Sequence, residues 1–214
     1  MRAVASDDME HGTHTGRYIA FEGIEGAGKS TVADRVASHL EALGHSVVRV
    51  REPGGTDVGE HIREVLLAGD HQPLAMTEAV LFAAARAQLI AQTVVPALEG
   101  GSWVLSDRSA YSSLAYQSGG RGLGLVDVRT LNDIAIGGIW PDTVVLLRTD
   151  ARTGLSRQSV GDRIGDESLE FHQKVADAFG ALAVAEPERF VVIDASLPFE
   201  DVVTRTIAAL RIEA

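Results

Sequence analysis

A glycine-rich loop at residues 23–31 has the residue types and the spacing that bind a nucleotide phosphate. The loop reads GIEGAGKST and matches G-x-x-x-x-G-K-[ST], with Gly23, Gly28, Lys29 and Ser30 in the required places. Its glycines leave backbone N–H groups free to surround a phosphate, Lys29 can reach the β- and γ-phosphates, and the Ser30 hydroxyl is placed to ligate Mg²⁺. A glycine-rich turn that binds nothing is the alternative, and the added Gly-Lys-Ser argues against it. The predicted nucleotide-binding residues are Gly23, Ile24, Glu25, Gly26, Ala27, Gly28, Lys29, Ser30 and Thr31.

Apolar strand patterns alternate with helical patterns along the rest of the chain. This alternation predicts an α/β fold of the P-loop NTPase type: three α/β/α layers, a five-stranded parallel sheet and a small lid. Strands are predicted at 17–22, 46–50, 102–106, 143–147 and 190–193. Helices are predicted at 29–43, 58–68, 75–98, 109–117, 125–138, 168–184 and 198–210.

Charged side chains stand at the carboxyl ends of these strands, where a parallel sheet binds its ligand. Asp107 ends the third strand, the position at which a Walker-B carboxylate holds Mg²⁺ or its water in P-loop proteins. Capping of the next helix is an alternative of similar weight for Asp107 taken alone. Arg51 and Arg108 are predicted to grip a second phosphate with their forked donors. Two facing anion sites predict phosphoryl transfer between two phosphates.

An arginine is out of place on the buried face of the helix predicted at 75–98. Arg86 lies one turn from Phe82, among apolar residues of the same face. Either its stem lies along the apolar surface while the charge reaches water, or this face borders a ligand cavity.

Length and composition limit the class of protein. A chain of 214 residues that is 45% hydrophobic fits one globular domain. The net charge of -11 repels nucleic-acid polymers and argues against such a partner. The sequence has no cysteine, which excludes disulfides and thiolate metal sites.

The first sixteen residues are polar and aperiodic. We predict a disordered extension at 1–16 and a single domain at 17–214, with His11 and His14 solvated rather than bound to metal. Acidic residues stand where a signal peptide needs an apolar core, and no apolar run is expected to approach the ~18 residues of a membrane span. We therefore expect a cytoplasmic protein with no membrane partner.

Four motifs together resemble the bacterial thymidylate kinases (dTMP kinases), from about residue 17 to the C-terminus. They are FEGIEGAGKST at 21–31, REPGGT at 51–56, LFAAAR at 81–86, and DR at 107–108 with SSLAYQ at 112–117. REPGGT and DR…AYQ are the discriminating motifs. The resemblance implies a homodimeric, Mg²⁺-dependent enzyme that transfers a phosphoryl group from ATP to dTMP, giving dTDP and ADP in dTTP synthesis.

The resemblance also implies residue roles in binding dTMP. Arg51 and Arg108 would hold the 5′-phosphate, Phe82 would stack on the thymine, and Arg86 would hydrogen-bond to thymine O4. One of two neighbouring serines would meet the base near N3, and a tyrosine would pack under the deoxyribose and disfavour a 2′-hydroxyl. The predicted dTMP-binding residues are Arg51, Phe82, Arg86, Arg108, Ser112, Ser113, Tyr116 and Gln117.

For the transfer step, the resemblance implies a carboxylate at Glu25 that positions the acceptor and the metal. Gly26 occupies a position where one subgroup of the family carries an arginine, so an arginine of the polar lid at 152–166 is expected to replace it. The predicted catalytic residues are Lys29, Arg108, Arg157, Arg163 and Glu25, and the predicted metal ligands are Ser30 and Asp107.

Two alternative functions stay open at this point. One is a P-loop kinase for another nucleotide or nucleoside, and the other is a P-loop nucleotide-binding regulator without catalysis. A GTPase would need an N-K-x-D guanine motif, which the sequence lacks.

Overall fold

Parallel strands alternate with helices in the computed structural model, which describes residues 15–68, 71–158 and 161–212. The strands are β1 (Arg17–Glu22), β2 (Val47–Arg51), β3 (Trp103–Asp107), β4 (Thr143–Arg148) and β5 (Phe190–Asp194). The α-helices are α1 (Lys29–Ala42), α2 (Asp57–Leu67), α3 (Ala75–Leu89), α4 (Val95–Glu99), α5 (Ala110–Ser113), α6 (Leu125–Ile136), α7 (Ala151–Arg157), α8 (Leu169–Ala185) and α9 (Phe199–Ala209). Two π-helical turns follow α3 and α5, at Ile90–Val94 and Leu114–Gly120. Most of the predicted extension, with His11 and His14, lies outside the described residues.

The five strands form one parallel sheet in the order β2-β3-β1-β4-β5, which confirms the predicted fold class. The central strand β1 pairs with β3 and β4, and its Ile19 and Phe21 are fully buried. Asp107 of β3 lies opposite both Phe21 of β1 and Arg51 of β2. The register therefore brings the predicted functional side chains to one edge of the sheet.

Side-chain caps set where the chain turns into helix beside this edge. Thr56 accepts a hydrogen bond from Gly59 N at the start of α2, and Ser109 accepts one from Tyr111 N at the start of α5. Ser109, rather than Asp107, thus caps the helix after β3. This removes the capping alternative for Asp107.

The helix predicted at 75–98 runs through α3, the first π-helical turn and α4. Its span Ala75–Glu99 is long and apolar enough to cross a membrane by length and composition alone, although the sequence interrupts it with charged residues. Two charged residues of α3, Glu78 and Arg86, are buried at 1% and 2% exposure and form ion pairs within the domain.

The polar segment predicted as a lid at 152–166 packs against the domain along part of its length. It begins in helix α7, and Ile164 is 6% exposed within an apolar cluster that includes Phe171. Gly154 of α7 packs so closely on the phosphate loop that a Cβ on Gly26 would lie 1.9 Å from Gly154 O. Apolar burial and this backbone contact hold the described part of the segment against the domain.

Candidate active site

The phosphate loop joins β1 to α1 in a conformation that depends on its glycines. Gly23, Gly26 and Gly28 have φ angles of 141°, 69° and 89°, which side chains disfavour. Lys29 is 7% exposed, and its Nζ donates to Ile24 O at 2.9 Å. Burial, and then the Arg108 charge, lower the pKa of Lys29 to about 8. A bound phosphate would stabilise the positive charge of this buried lysine, as expected for a site that binds anions.

The two predicted metal ligands, Ser30 at the start of α1 and Asp107 at the end of β3, are in contact. Ser30 Oγ donates a short hydrogen bond to Asp107 Oδ2. A hydroxyl and a carboxylate beside a phosphate site fit Mg²⁺, which binds few protein oxygens and keeps several waters and phosphate oxygens as ligands. Within the described part of the chain, no group of three or more His, Cys, Asp or Glu side chains offers a complete protein cage. The donor set is thus that of a metal shared with a phosphate.

Glu25 connects the phosphate loop to the arginine that follows β3. Its Oε1 accepts from Arg108 Nη2 at 2.8 Å, and Tyr116 OH lies 2.9 and 2.8 Å from its two oxygens. Nδ1 of His172 lies 3.0 Å from Oε2, although the ring is not turned for a linear hydrogen bond. Burial alone would raise the pKa of Glu25, but the Arg108 charge, with smaller effects of His172 and Lys29, holds it well below its usual range. Glu25 is therefore an ionised carboxylate.

Arg108 itself has a backbone conformation that is unusual for a side chain other than glycine. Its φ is 75°, and its N–H donates to Phe21 O at 3.1 Å. Its guanidinium lies 4.9 Å from the centre of the Tyr116 ring. This strained backbone directs Arg108 across the sheet edge toward Glu25 in the phosphate loop.

A buried carboxylate supports the segment that carries these groups. Glu22, at the end of β1, is fully buried and accepts hydrogen bonds from the backbone and hydroxyl groups of Ser109 and Ser112. Burial raises the pKa of Glu22, and the Ser112 hydrogen bond opposes this rise. The Ser112 hydroxyl is thus already committed as a donor, at 2.6 Å from Glu22 Oε2.

One cavity collects most of the residues predicted to bind dTMP. It is bordered by residues of the phosphate loop, β2, α2, α3, the stretch after β3 and the segment after α7. The predicted residues on its wall are Glu25, Arg51, Phe82, Asp107, Arg108, Ser112, Ser113, Tyr116 and Gln117. Arg63, Leu67, Asp162 and Ile164 also line it. A cavity whose lining combines three arginines with a phenylalanine ring suits a nucleotide monophosphate.

Arg86 lies behind this cavity. Its Nε donates to Glu52 Oε2 at 2.6 Å, Nη1 donates to Ser113 Oγ and Asn132 Oδ1, and Nη2 donates to Ser109 O. Its donors are therefore largely engaged in holding neighbouring groups. Direct contact of Arg86 with thymine O4 stays a prediction. The Ser113 oxygen accepts from Arg86, and its hydroxyl donates to no residue that the structure describes, so it can donate to a ligand.

The cationic end of the cavity holds three arginines of different character. Arg51 is 48% exposed in its side chain and pairs with Glu60 at 2.8 Å. Arg108 pairs with Glu25. Arg63 donates to Pro53 O at 2.8 Å and forms no ion pair with any residue that the structure describes. Burial, and then the Arg51 charge, lower the pKa of Arg63. Arg63 is thus the least compensated positive charge of this site.

The two predicted lid arginines have different partners. Arg157 Nη1 donates to Ala195 O at 3.1 Å, at the end of β5. Arg163 is 7% exposed in its side chain, pairs with Glu78 at 2.6 Å and donates from Nε to Leu66 O. A catalytic contact of either arginine stays a prediction.

Sequence reasoning missed several residues of the site. Arg63 lies on the same face of α2 as Leu67, four residues later. Because this helix directly follows the REPGGT loop, that spacing could have predicted that Arg63 faces the site. His172 and Glu22 had no such signal, because a histidine in a helix and a glutamate at a strand end acquire meaning only from their buried partners.

Known proteins of one family resemble this chain in sequence and in fold. The family model described as Thymidylate kinase matches residues 21–206. The thymidylate kinase of Bacillus pumilus is 43% identical over 203 residues, covering 92% of this chain and 96% of that protein. That of Desulfovibrio desulfuricans is 46% identical over 204 residues, covering 90% and 94%. The crystal structure of thymidylate kinase from Ehrlichia chaffeensis superimposes with a TM-score of 0.76 at 30% identity, covering 92% of this chain and 99% of that one. The chain belongs to the thymidylate kinase family.

Proposed function

We propose that the chain transfers the γ-phosphoryl group of ATP to dTMP, giving dTDP and ADP for dTTP synthesis. The observation that carries this proposal is the Arg108–Glu25 ion pair at 2.8 Å, which links the acceptor arginine to the phosphate loop. Because the two anion sites adjoin, an acceptor phosphate held by Arg108 has a short in-line approach to a γ-phosphate in the loop. Family membership favours this reaction over another P-loop kinase or a non-catalytic regulator.

The acceptor site divides into a phosphate end and a base end. Arg108 and Arg51 hold the 5′-phosphate of dTMP, and Arg63 adds a third cation. At the other end, Phe82 stacks on thymine and Ser113 meets its polar edge. This arrangement orients the phosphate toward the donor while the base is held by contacts that depend on its shape.

Tyr116 and Glu25 form the floor under the sugar. The Tyr116 hydroxyl donates to Glu25, which holds the ring in place under the sugar, so a 2′-hydroxyl would have to fit against the face of a fixed aromatic ring. We expect ribonucleotides to be disfavoured on this account.

The donor site uses the phosphate loop. The loop backbone from Gly23 to Thr31 and the Lys29 ammonium bind the β- and γ-phosphates. Ser30 and Asp107 would hold Mg²⁺, directly or through water, and the bound ion would neutralise charge on the phosphate oxygens.

A lid arginine completes the positive charge around the transferring group. Arg157 is the better candidate because its one described partner is a carbonyl oxygen, whereas Arg163 is fixed in an ion pair. Such an arginine is worth about 10³–10⁵ in rate in related phosphoryl transfers.

We also propose a homodimer in the cytoplasm. Helices α2 and α3 expose an apolar surface in the single chain, with Val58 52%, Met76 48% and Val80 46% exposed. A patch of this kind is typical of a protein interface. Light scattering of the purified protein tests the dimer.

A nucleotide-acceptor panel tests the proposed reaction. ADP release is measured with ATP, Mg²⁺ and each of dTMP, CMP, AMP and GMP in turn. We expect efficient turnover with dTMP alone, and loss of that turnover in Lys29→Met. Equal turnover of dTMP, CMP and AMP would reject the assigned specificity, and ATP binding without dTMP-dependent turnover would favour the regulatory alternative.

A further inference from the structure

Glu78 is a buried carboxylate outside the predicted catalytic set that joins three segments around the base end of the cavity. It lies on α3 and is 1% exposed. Its Oε1 accepts from Gln117 Nε2 at 3.0 Å and from Arg121 Nε at 3.1 Å. Its Oε2 accepts from Arg121 Nη2 at 3.1 Å and from Arg163 Nη2 at 2.6 Å.

These contacts fix the orientation of the Gln117 amide. Burial alone would raise the pKa of Glu78, but Arg121, Gln117 and Arg163 outweigh it and lower the pKa. An ionised carboxylate can only accept hydrogen bonds, so the amide nitrogen of Gln117 must face it. The amide oxygen then lies on the other side, and no described residue donates to it. Because Gln117 lines the cavity, this oxygen is an acceptor available to a ligand.

We propose that Glu78 is a positioning residue that makes Gln117 present an acceptor, and not a donor, to the nucleobase. This proposal rests on the proposed function, since it takes the cavity as the dTMP site. Thymine and uracil carry an N–H donor at N3, whereas cytosine carries an acceptor there. A fixed acceptor therefore favours thymine and uracil and leaves cytosine facing an unpaired oxygen, which is costly in a buried pocket.

The same carboxylate also holds one wall of the cavity. Arg163, bound to Glu78, donates through Nε to Leu66 O at 2.7 Å, and the next residue, Ile164, lines the cavity. Loss of the Glu78 charge should loosen this wall for every nucleotide alike. This common effect differs from the effect on base discrimination, so the two can be separated by experiment.

The test is the variant Glu78→Gln, whose carboxamide can either accept from or donate to Gln117. The measured quantities are kcat/KM for dTMP, dUMP and dCMP, with inhibition constants against dTMP turnover used where a nucleotide is not turned over. We expect the preference for dTMP over dCMP to fall roughly tenfold, as for one hydrogen bond of ordinary strength, and the preference for dTMP over dUMP to stay unchanged. A matched control is Glu167→Gln, which removes the other carboxylate bound to Arg121 and should leave both ratios unchanged.

A second variant keeps the proposal testable if Glu78→Gln folds poorly. Gln117→Met removes the amide and should lower the same dTMP-to-dCMP preference, and adding Glu78→Gln should then lower it no further. A dTMP-to-dCMP ratio that stays within twofold of wild type in Gln117→Met or in Glu78→Gln, or that falls again in the double variant, overturns the proposal. Absence of dTMP turnover in the wild-type protein would instead reject the proposed function.

Discussion

Replacing Arg63 should change folding stability and dTMP binding in opposite directions. Burial and the nearby Arg51 charge disfavour the positive charge of Arg63 in the folded protein, whereas a bound phosphate would favour it. In Arg63→Gln the cation is replaced by a neutral side chain of similar polarity. Arg63 forms no ion pair with the described residues, and its pKa is lowered by burial and then by Arg51. A lowered arginine pKa means that the folded site disfavours the charge, so its removal should leave Tm unchanged or raise it.

Binding should change in the opposite sense. A hydrogen bond between a guanidinium and a phosphate contributes about 1.5–3 kcal/mol, which corresponds to roughly a 10- to 150-fold rise in the KM for dTMP. The KM for ATP should change by less than about twofold, because Arg63 lines the acceptor cavity and not the phosphate loop.

The assay is ADP release at varied dTMP and saturating ATP, combined with thermal unfolding of each variant. Arg51→Gln, at another arginine assigned to the phosphate, is the comparison variant. Arg51 is half-exposed and already neutralised by Glu60, so we expect a smaller rise in KM and no gain in Tm. A lower Tm in Arg63→Gln together with an unchanged KM for dTMP would refute the reasoning.

Three further predictions concern the groups around the cavity. Ser112→Ala should destabilise the fold by about 1–3 kcal/mol because buried Glu22 loses a donor. Ser113→Ala should also lower the stability, because buried Arg86 loses an acceptor, but it alone of the two should raise the KM for dTMP. A KM for dTMP that rises in Ser112→Ala and not in Ser113→Ala would contradict the assignment of Ser113 to the base. His172→Asn, which keeps a nitrogen near Nδ1, should retain more kcat than His172→Phe at similar Tm, and equal losses in both would show that Nδ1 does not act on Glu25. The pKa of Glu78 is below its ordinary 4.5, so its contribution to stability is present above that pH and is lost as the pH falls further; thermal melts at decreasing pH should therefore show a steeper loss for wild type than for Glu78→Gln.

The sequence by itself determined the fold class and the identity of the phosphate loop. Strand and helix patterns depend on local periodicity, and the loop motif depends on glycines and a lysine within nine residues, so both can be read without knowledge of distant contacts. The parallel sheet then placed Arg51, Asp107 and Arg108 at one edge, as the position of strand ends predicted.

Only the tertiary structure decided which side chains are free to act. Ser112 and Ser113 are equivalent in the sequence, but the Ser112 hydroxyl donates to Glu22, whereas the Ser113 hydroxyl donates to none of the described residues. The orientation of Gln117 likewise depends on Glu78, which is 39 residues away along the chain. Hydrogen-bond partners and burial arise from contacts between distant segments, and these contacts determine the charge, direction and availability of a polar group.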